Sequence, residues 1–306
     1  MIDSDRNDRG WTAAGIDARS LRALTRELSG TQLWSLLLAV MEQRAALRTP
    51  AGVLQQWRTD RFVAPALTDQ RTLMAIDLEL LAAAGGFTSI ELSPLAPLGG
   101  CSVVAPTSQN RVVSSARGSE VVSDPTNVLA LESARRLQDE PQHVVRFATS
   151  HRCVRAQSVP KVPGFAAHFR MFCLTTAGRE TADQQFTVAT LTEHIKVHLD
   201  GLDRLERLGY AFPNRIITLL STPQRAALAQ RIEHNLSGVR IRHEPLEHGY
   251  YFGLRFKIDA GTTAGDSIPL IDGGAFDWVA QLTANRKNVF IASALGSQLV
   301  ALAFRK

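Results

Sequence analysis

Two long runs, residues 144–154 and 168–176, constrain this chain more than any other feature of it. Both are rich in β-branched and aromatic residues. A segment carrying Pro160, Pro163 and Gly164 separates them, as expected for two strands joined by a loop. Helical patterns lie on both sides. An α+β domain on a mainly antiparallel sheet flanked by helices accommodates that order.

The elements around the strand pair are readable from their punctuation. Residues 1–12 are polar and read as a disordered tail. Thr31 is placed to cap a helix with Leu33, Trp34, Leu37, Leu38 and Met41 at helical spacing, and Thr49-Pro50 opens a short helix through Trp57. These helices form an N-terminal extension over 1–64. The core then spans 65–306. A helix over 69–84 should stop at Gly85-Gly86 in a left-handed turn. A strand over 87–92 runs toward Pro94 and Pro97, and a hairpin-like stretch covers 101–122. Asp124-Pro125 opens a helix through Leu137. A long helix over 187–208, a strand over 216–220, a helix over 223–235 and a strand over 239–243 resemble a small α/β insertion around 187–245. Beyond it come a strand over 250–258, a Gly273-Gly274 turn, a helix from Phe276, a strand over 289–294 and a last helix after Gly296.

Composition narrows the function class. Hydrophobic residues make up 45% of 306 and charged residues 21%, which suits a soluble globular protein. The net charge of +5 has no accompanying basic run, so it serves a phosphate-bearing small molecule as well as nucleic acid. Cys101, Cys153 and Cys173 have no metal-ligand spacing and fit a reducing compartment. The N-terminus has no apolar core, and the apolar run over 33–41 is too short to span a bilayer, so no membrane partner and a cytoplasmic protein are expected.

From about Gln70 onward, ordered motifs carry a family resemblance. Gly86-Phe87-Thr88-Ser89-Ile90-Glu91-Leu92-Ser93-Pro94 resembles class II synthetase motif 1, a helix running into a strand that ends at proline. Ser123-Asp124-Pro125-Thr126 resembles the loop in which an acid and a threonine hold a substrate ammonium. Ser150-His151-Arg152-Cys153-Val154-Arg155-Ala156-Gln157 and Pro163-Gly164-Phe165-Ala166-Ala167-His168-Phe169-Arg170 resemble motif 2. His248-Gly249-Tyr250-Tyr251-Phe252-Gly253 and Ile271-Asp272-Gly273-Gly274-Ala275-Phe276-Asp277 resemble the two motifs specific to histidyl-tRNA synthetases. Ala294-Leu295-Gly296-Ser297-Gln298-Leu299 resembles motif 3.

The chain thus resembles the catalytic core of a class II aminoacyl-tRNA synthetase of the histidyl type. The resemblance implies a class II synthetase-like fold, a homodimer through the motif 1 element, and a pocket for an amino acid and ATP with Mg. In that pocket Arg152 would bind the α-phosphate. Asp124, Thr126, Arg155, Gln157, His168, Arg170, Tyr250, Tyr251, Gly273 and Gly274 would line the substrate site, with no metal ligands. Asp124, Arg152 and His168 in particular should reach one shared hollow. Asp124 also reads as a helix cap, and both roles stand together if its side chain faces a pocket.

Several family residues are replaced. Val154 stands for the motif 2 glutamate, Thr175 for an acidic substrate ligand, Leu246 for a catalytic arginine and Leu299 for the motif 3 arginine. Leucine cannot replace a guanidinium aimed at developing charge; such a contact contributes about 3 kcal/mol to transition-state stabilisation. The chain ends soon after motif 3, with no anticodon-binding domain after it, and tRNA is not an expected partner. The resemblance therefore points to a non-aminoacylating paralogue that binds an amino acid or nucleotide. Regulatory subunits of ATP phosphoribosyltransferase in histidine biosynthesis are known relatives of that kind, with a catalytic partner subunit. The alternative is a divergent ATP-dependent amino-acid-activating enzyme acting on a carrier or small molecule. Glu193, His194 and His198 share a helix, but a solvated helix face explains them better than a metal site. Cys153, a lone strand cysteine, reads as buried and inert.

Overall fold

In the computed structural model, the described residues are Trp11, 14–158, 166–247, 249–262 and 265–306. The expected tail over 1–12, Trp11 apart, and the motif residues Pro160, Pro163, Gly164, Phe165 and His248 lie outside them.

The N-terminal extension is helical: α1 (Ala18–Arg22) followed by a π-helical turn, α2 (Gly30–Ala46) and α3 (Pro50–Thr59). Ser29 caps α2, not Thr31, which lies inside the helix. Ser29 and Gln32 satisfy each other's backbone N–H groups, at 3.3 and 2.9 Å, a reciprocal box that a cap at Thr31 would forgo. Thr49 caps α3 as expected, its hydroxyl accepting from the Gly52 N–H at 3.1 Å. None of these helices contains a buried residue.

In α4 (Gln70–Ala83), Asp69 is the cap. Its end differs from the expectation: neither Gly85 nor Gly86 takes a positive φ. The Ala84 N–H is shared between the carbonyls of Leu80 and Leu81, tightening the last turn so that no left-handed residue is needed. The short strands β1 (Thr88–Ser89), β2 (Leu95–Pro97) and β3 (Ser119–Val121) follow, and β2 and β3 pair apart from the main sheet. Then come α5 (Pro125–Asp139), β4 (Val145–Val154), β5 (His168–Arg179), α6 (Gln185–Arg207), β6 (Ile216–Ser221), α7 (Ala226–His234) and β7 (Arg240–Pro245). The chain closes with β8 (Leu254–Gly261), β9 (Ser267–Phe276), α8 (Trp278–Leu282), β10 (Asn288–Leu295) and α9 (Ser297–Ala303).

Eight strands form one sheet in the order β1-β4-β5-β10-β9-β8-β6-β7. Among the described residues only β1·β4 and β6·β7 are parallel. The stretch 187–245 supplies β6 and β7 to the edge of this sheet and continues it. One face is covered by α4, α6, α7 and α9. In α6, Val188, Leu191, Ile195, Leu202 and Leu205 recur at helical spacing and are buried in the larger core; burying each such side chain contributes about 2 kcal/mol. The opposite face packs against α5 and α8, with Phe147, Phe276, Trp278 and Phe290 in a second core. Among the described residues no helix is long and apolar enough to cross a membrane.

Gly273 and Gly274 do not form a turn. They sit inside β9, paired with Ser293 and Ala292 of β10 on one side and with Phe256 and Arg255 of β8 on the other. Both positions need a bare Cα. A Cβ on Gly273 would collide with Ser293 and come within 2.8 Å of the Ala292 carbonyl, and one on Gly274 would collide with the Leu254 carbonyl. Close strand approach, not turn geometry, accounts for the pair.

Candidate functional site

Past the C-terminal end of β4, the face that carries α5 opens into a hollow of about 710 Å³, within the range typical of small-ligand sites. One end is built by the N-terminus of α5. Asp124 caps this helix: its Oδ1 accepts from the Thr126 N–H at 3.0 Å and from the Thr126 hydroxyl at 2.7 Å. That leaves Oδ2 facing Arg155, whose Nη2 is 3.4 Å away. The Arg155 guanidinium also donates from Nε to the Ser123 carbonyl at 3.0 Å and lies over the Phe169 ring. Asp124 therefore caps the helix and lines the hollow at once.

The other end is built by β8 and β9. Arg255 forks onto Asp272, Nε to Oδ1 at 2.9 Å and Nη2 to Oδ2 at 2.7 Å, and its guanidinium stacks over Tyr251. Lys257 lies across from Asp272 in the register. Tyr250 and Tyr251 precede β8 and stand edge to face, ring centres 5.1 Å apart. Burial pushes both phenols far up, so they are neutral hydrogen-bonding groups and not bases; the charges at Asp124 and Asp272 push the Tyr250 phenol in the same direction.

Of the residues anticipated from sequence, Asp124, Thr126, Arg155, Gln157, Arg170, Tyr250, Tyr251 and Gly273 line this hollow, whereas Arg152, His168 and Gly274 do not. Strand parity explains the main departure. Arg152 pairs with Arg170 and Val154 with His168, on the face that also carries Phe172 and Leu174, against α4 and α6. Cys153 and Phe169 belong to the other face, toward the second core and the hollow. The expected meeting of Asp124, Arg152 and His168 in one hollow therefore does not occur. Instead Arg152 donates to His168 Nδ1 at 3.0 Å and to Gln298 Oε1 at 3.1 Å. His168 Nε2 is 2.7 Å from the Ala64 carbonyl, at the end of the N-terminal extension. The Arg170 guanidinium is bound to the buried Asp77 at 2.5 Å. The arginine that faces the hollow beside Asp124 is Arg155.

Sequence reading missed Phe169, Met171, Arg255 and Lys257 as lining residues. Their signal was present: each pair is two residues apart on a strand and so shares a face. Thr175 is fully buried and supplies no carboxylate.

Leu299, not an arginine, lines the hollow, and among the described residues no group of three metal-ligating side chains occurs. His194 and His198 are not on a solvated helix face. Both are fully buried and share the Ser293 hydroxyl at 2.9 and 2.8 Å. Burial raises the Cys153 thiol and keeps it inert.

No family model matches this sequence, and no curated protein matches it. Solved structures do. An ATP phosphoribosyltransferase regulatory subunit/histidyl-tRNA synthetase from Bacillus halodurans aligns with a TM-score of 0.58 at 14% identity, over 76% of this chain and 78% of that one. A histidine–tRNA ligase subunit from Alicyclobacillus acidocaldarius aligns at 0.57 and 11% identity, over 78% and 94%. The histidyl-tRNA synthetase of S. aureus aligns at 0.54 and 12% identity, over 76% of this chain and 64% of that chain. The likeness is one of fold: this chain has a class II synthetase-like architecture, a mixed eight-stranded sheet flanked by helices.

Proposed function

We propose that this protein is a non-aminoacylating histidyl-tRNA synthetase-like protein that binds an amino acid in the hollow, in the cytoplasm, as a homodimer. One observation carries the reading: Asp124 and Thr126 present a carboxylate and a hydroxyl at one end of the hollow, beside the cationic Arg155. A carboxylate that keeps one oxygen toward a pocket can receive an ammonium, and the adjacent guanidinium can receive a carboxylate. An amino-acid head carries both groups. Leu299 and the reversed Arg152 support binding without adenylation.

The B. halodurans neighbour is described as a regulatory subunit of ATP phosphoribosyltransferase. By that likeness, the partner we propose is the catalytic transferase subunit. Mixing the two proteins and measuring complex formation and transferase rate tests this; no complex and an unchanged rate remove the regulatory assignment. Calorimetric titration with a panel of amino acids tests the binding claim itself, and absence of heat with every one refutes it.

A second reading, an ATP-dependent amino-acid-activating enzyme, draws on Arg155 alone, the one arginine placed to meet a phosphate beside Asp124. Pyrophosphate exchange with any amino acid would favour it over the first.

A further inference from the structure

The hydrogen-bonding capacity of the hollow is spent unevenly. Asp272 is engaged on both oxygens by the Arg255 fork, and Arg170 is bound to Asp77. Each of these pairs balances its own charge. Asp124 retains one oxygen with a single long contact to Arg155. Among the described residues, Arg155 has no partner at Nη1, and Lys257 has no hydrogen bond at its ammonium. The nearest carboxylate to Lys257 is that of Glu244, at 3.9 Å and itself 38% exposed on edge strand β7. The lining groups with charge to spare are thus two cations and one anion. A simple amino acid, one ammonium and one carboxylate, would leave a cation without a partner inside a half-buried site, which is costly.

We propose that the ligand is an amino acid bearing a second acid group: its ammonium meets Asp124 and Thr126, one anionic group meets Arg155, and the other meets Lys257. This deepens the amino-acid reading and rests on it. One ammonium and two acid groups give the ligand one net negative charge, the complement of the lining. Tyr250 and Tyr251 stand between the two charged ends and form the wall along which the chain of such a molecule lies. The distal acid is a carboxylate or a phosphate; the lining serves either.

Calorimetry on the full-length chain distinguishes the cases, with L-glutamate, O-phospho-L-serine, the near-isosteric L-glutamine and L-histidine as probes. At least one acidic amino acid should bind about tenfold more tightly than glutamine, the effect of one charge-assisted hydrogen bond. Which of the two wins identifies carboxylate or phosphate. Lys257→Met should erase that preference, so that the acidic amino acids bind no more tightly than glutamine does to the same variant. Its thermal unfolding should match the wild type, because Lys257 lies on the open face and not in the core. Glutamine or histidine binding as tightly as the acidic pair overturns this inference and leaves the amino-acid reading standing. So does a Lys257→Met variant that weakens all four ligands equally. Binding of none of the four overturns this inference, and silence of the wider amino-acid panel as well overturns the amino-acid reading with it.

Discussion

Gly273→Ala is the sharpest test of how the sheet shapes the site. The added methyl would collide with the Ser293 Cβ and come within 2.8 Å of both the Ala292 carbonyl and the Phe256 ring. Two of these neighbours belong to β10 and one to β8, so the methyl would be wedged between paired strands whose backbones cannot separate without losing ladder hydrogen bonds. Overpacking of this kind costs about 1–3 kcal/mol. Alanine also reduces unfolded-state entropy, which returns about 0.4–1 kcal/mol. The net expectation is a loss of about 1–2 kcal/mol. At about 2.1 cal/mol/K per residue over 306 residues, that lowers Tm by roughly 2–3 °C. Differential scanning calorimetry reads such a shift, and a urea melt gives the same quantity independently. The control is Gly86→Ala, where nothing lies within 4 Å and φ is not positive; it should be neutral or slightly stabilising. A Gly273→Ala variant as stable as the wild type would refute close strand approach as the reason for the glycine pair.

Other outcomes follow from the same geometry. Asp124→Asn keeps the helix cap and should leave Tm nearly unchanged while weakening amino-acid binding about tenfold or more; Asp124→Ala should add a stability loss of about 1 kcal/mol, read by urea titration. Arg155→Met should abolish ligand binding in calorimetry, whereas Arg152→Met, which faces the other side of the sheet, should leave binding intact and show its effect in thermal stability. The buried His194 and His198 are held neutral by desolvation, with His198 lowered to about 3. The unfolded chain then binds more protons than the folded one below the ordinary histidine value. Stability should therefore fall as pH drops from about 6.5 toward 3, by up to about 1.4 kcal/mol per pH unit for each histidine, and His198→Gln should flatten that slope in urea melts. Because α1 to α3 bury no residue, deleting 1–59 should leave the Tm of the remaining core within about 2 °C of the intact chain.

The architecture was legible because its signals are local. Asp124-Pro125 announces the start of α5 through capping and a fixed φ, and Thr49-Pro50 does the same for α3. The hydrophobic spacing of 187–208 fixes α6 to within a few residues. What failed required knowledge of neighbours. A Gly-Gly pair has the same composition in a turn as in a strand pressed between two others, and only the positions of Ser293 and Leu254 distinguish the cases. His194 and His198 fall on the same helical stripe as Leu191, Ile195 and Leu202, so their burial was legible from spacing; that Ser293 lies beneath them was not.

The reassignment from Arg152 to Arg155 has the same origin and the largest functional consequence. The two residues are three positions apart, an odd number, so on extended backbone they project to opposite faces. Motif spacing counts residues along the chain and does not by itself say which face is the floor of the site. The register settles that: Cys153 opposite Phe169 belongs to the side with α5, and Arg152 opposite Arg170 to the side with α4. Once parity is fixed, the rest of the site follows from it. The lining side chains beside Asp124 that share its face are Arg155 just past β4, Met171 on β5, and Arg255 and Lys257 toward the edge; Arg170, of the opposite parity, is in the lining too but is bound to Asp77. Arg152, His168 and Ala64 form a different structure, a tie between the sheet and the N-terminal extension. A ligand that protected the hollow yet required Arg152 for binding would mean that this parity is wrong, and with it the assignment of Arg155, Phe169 and Met171 to the site.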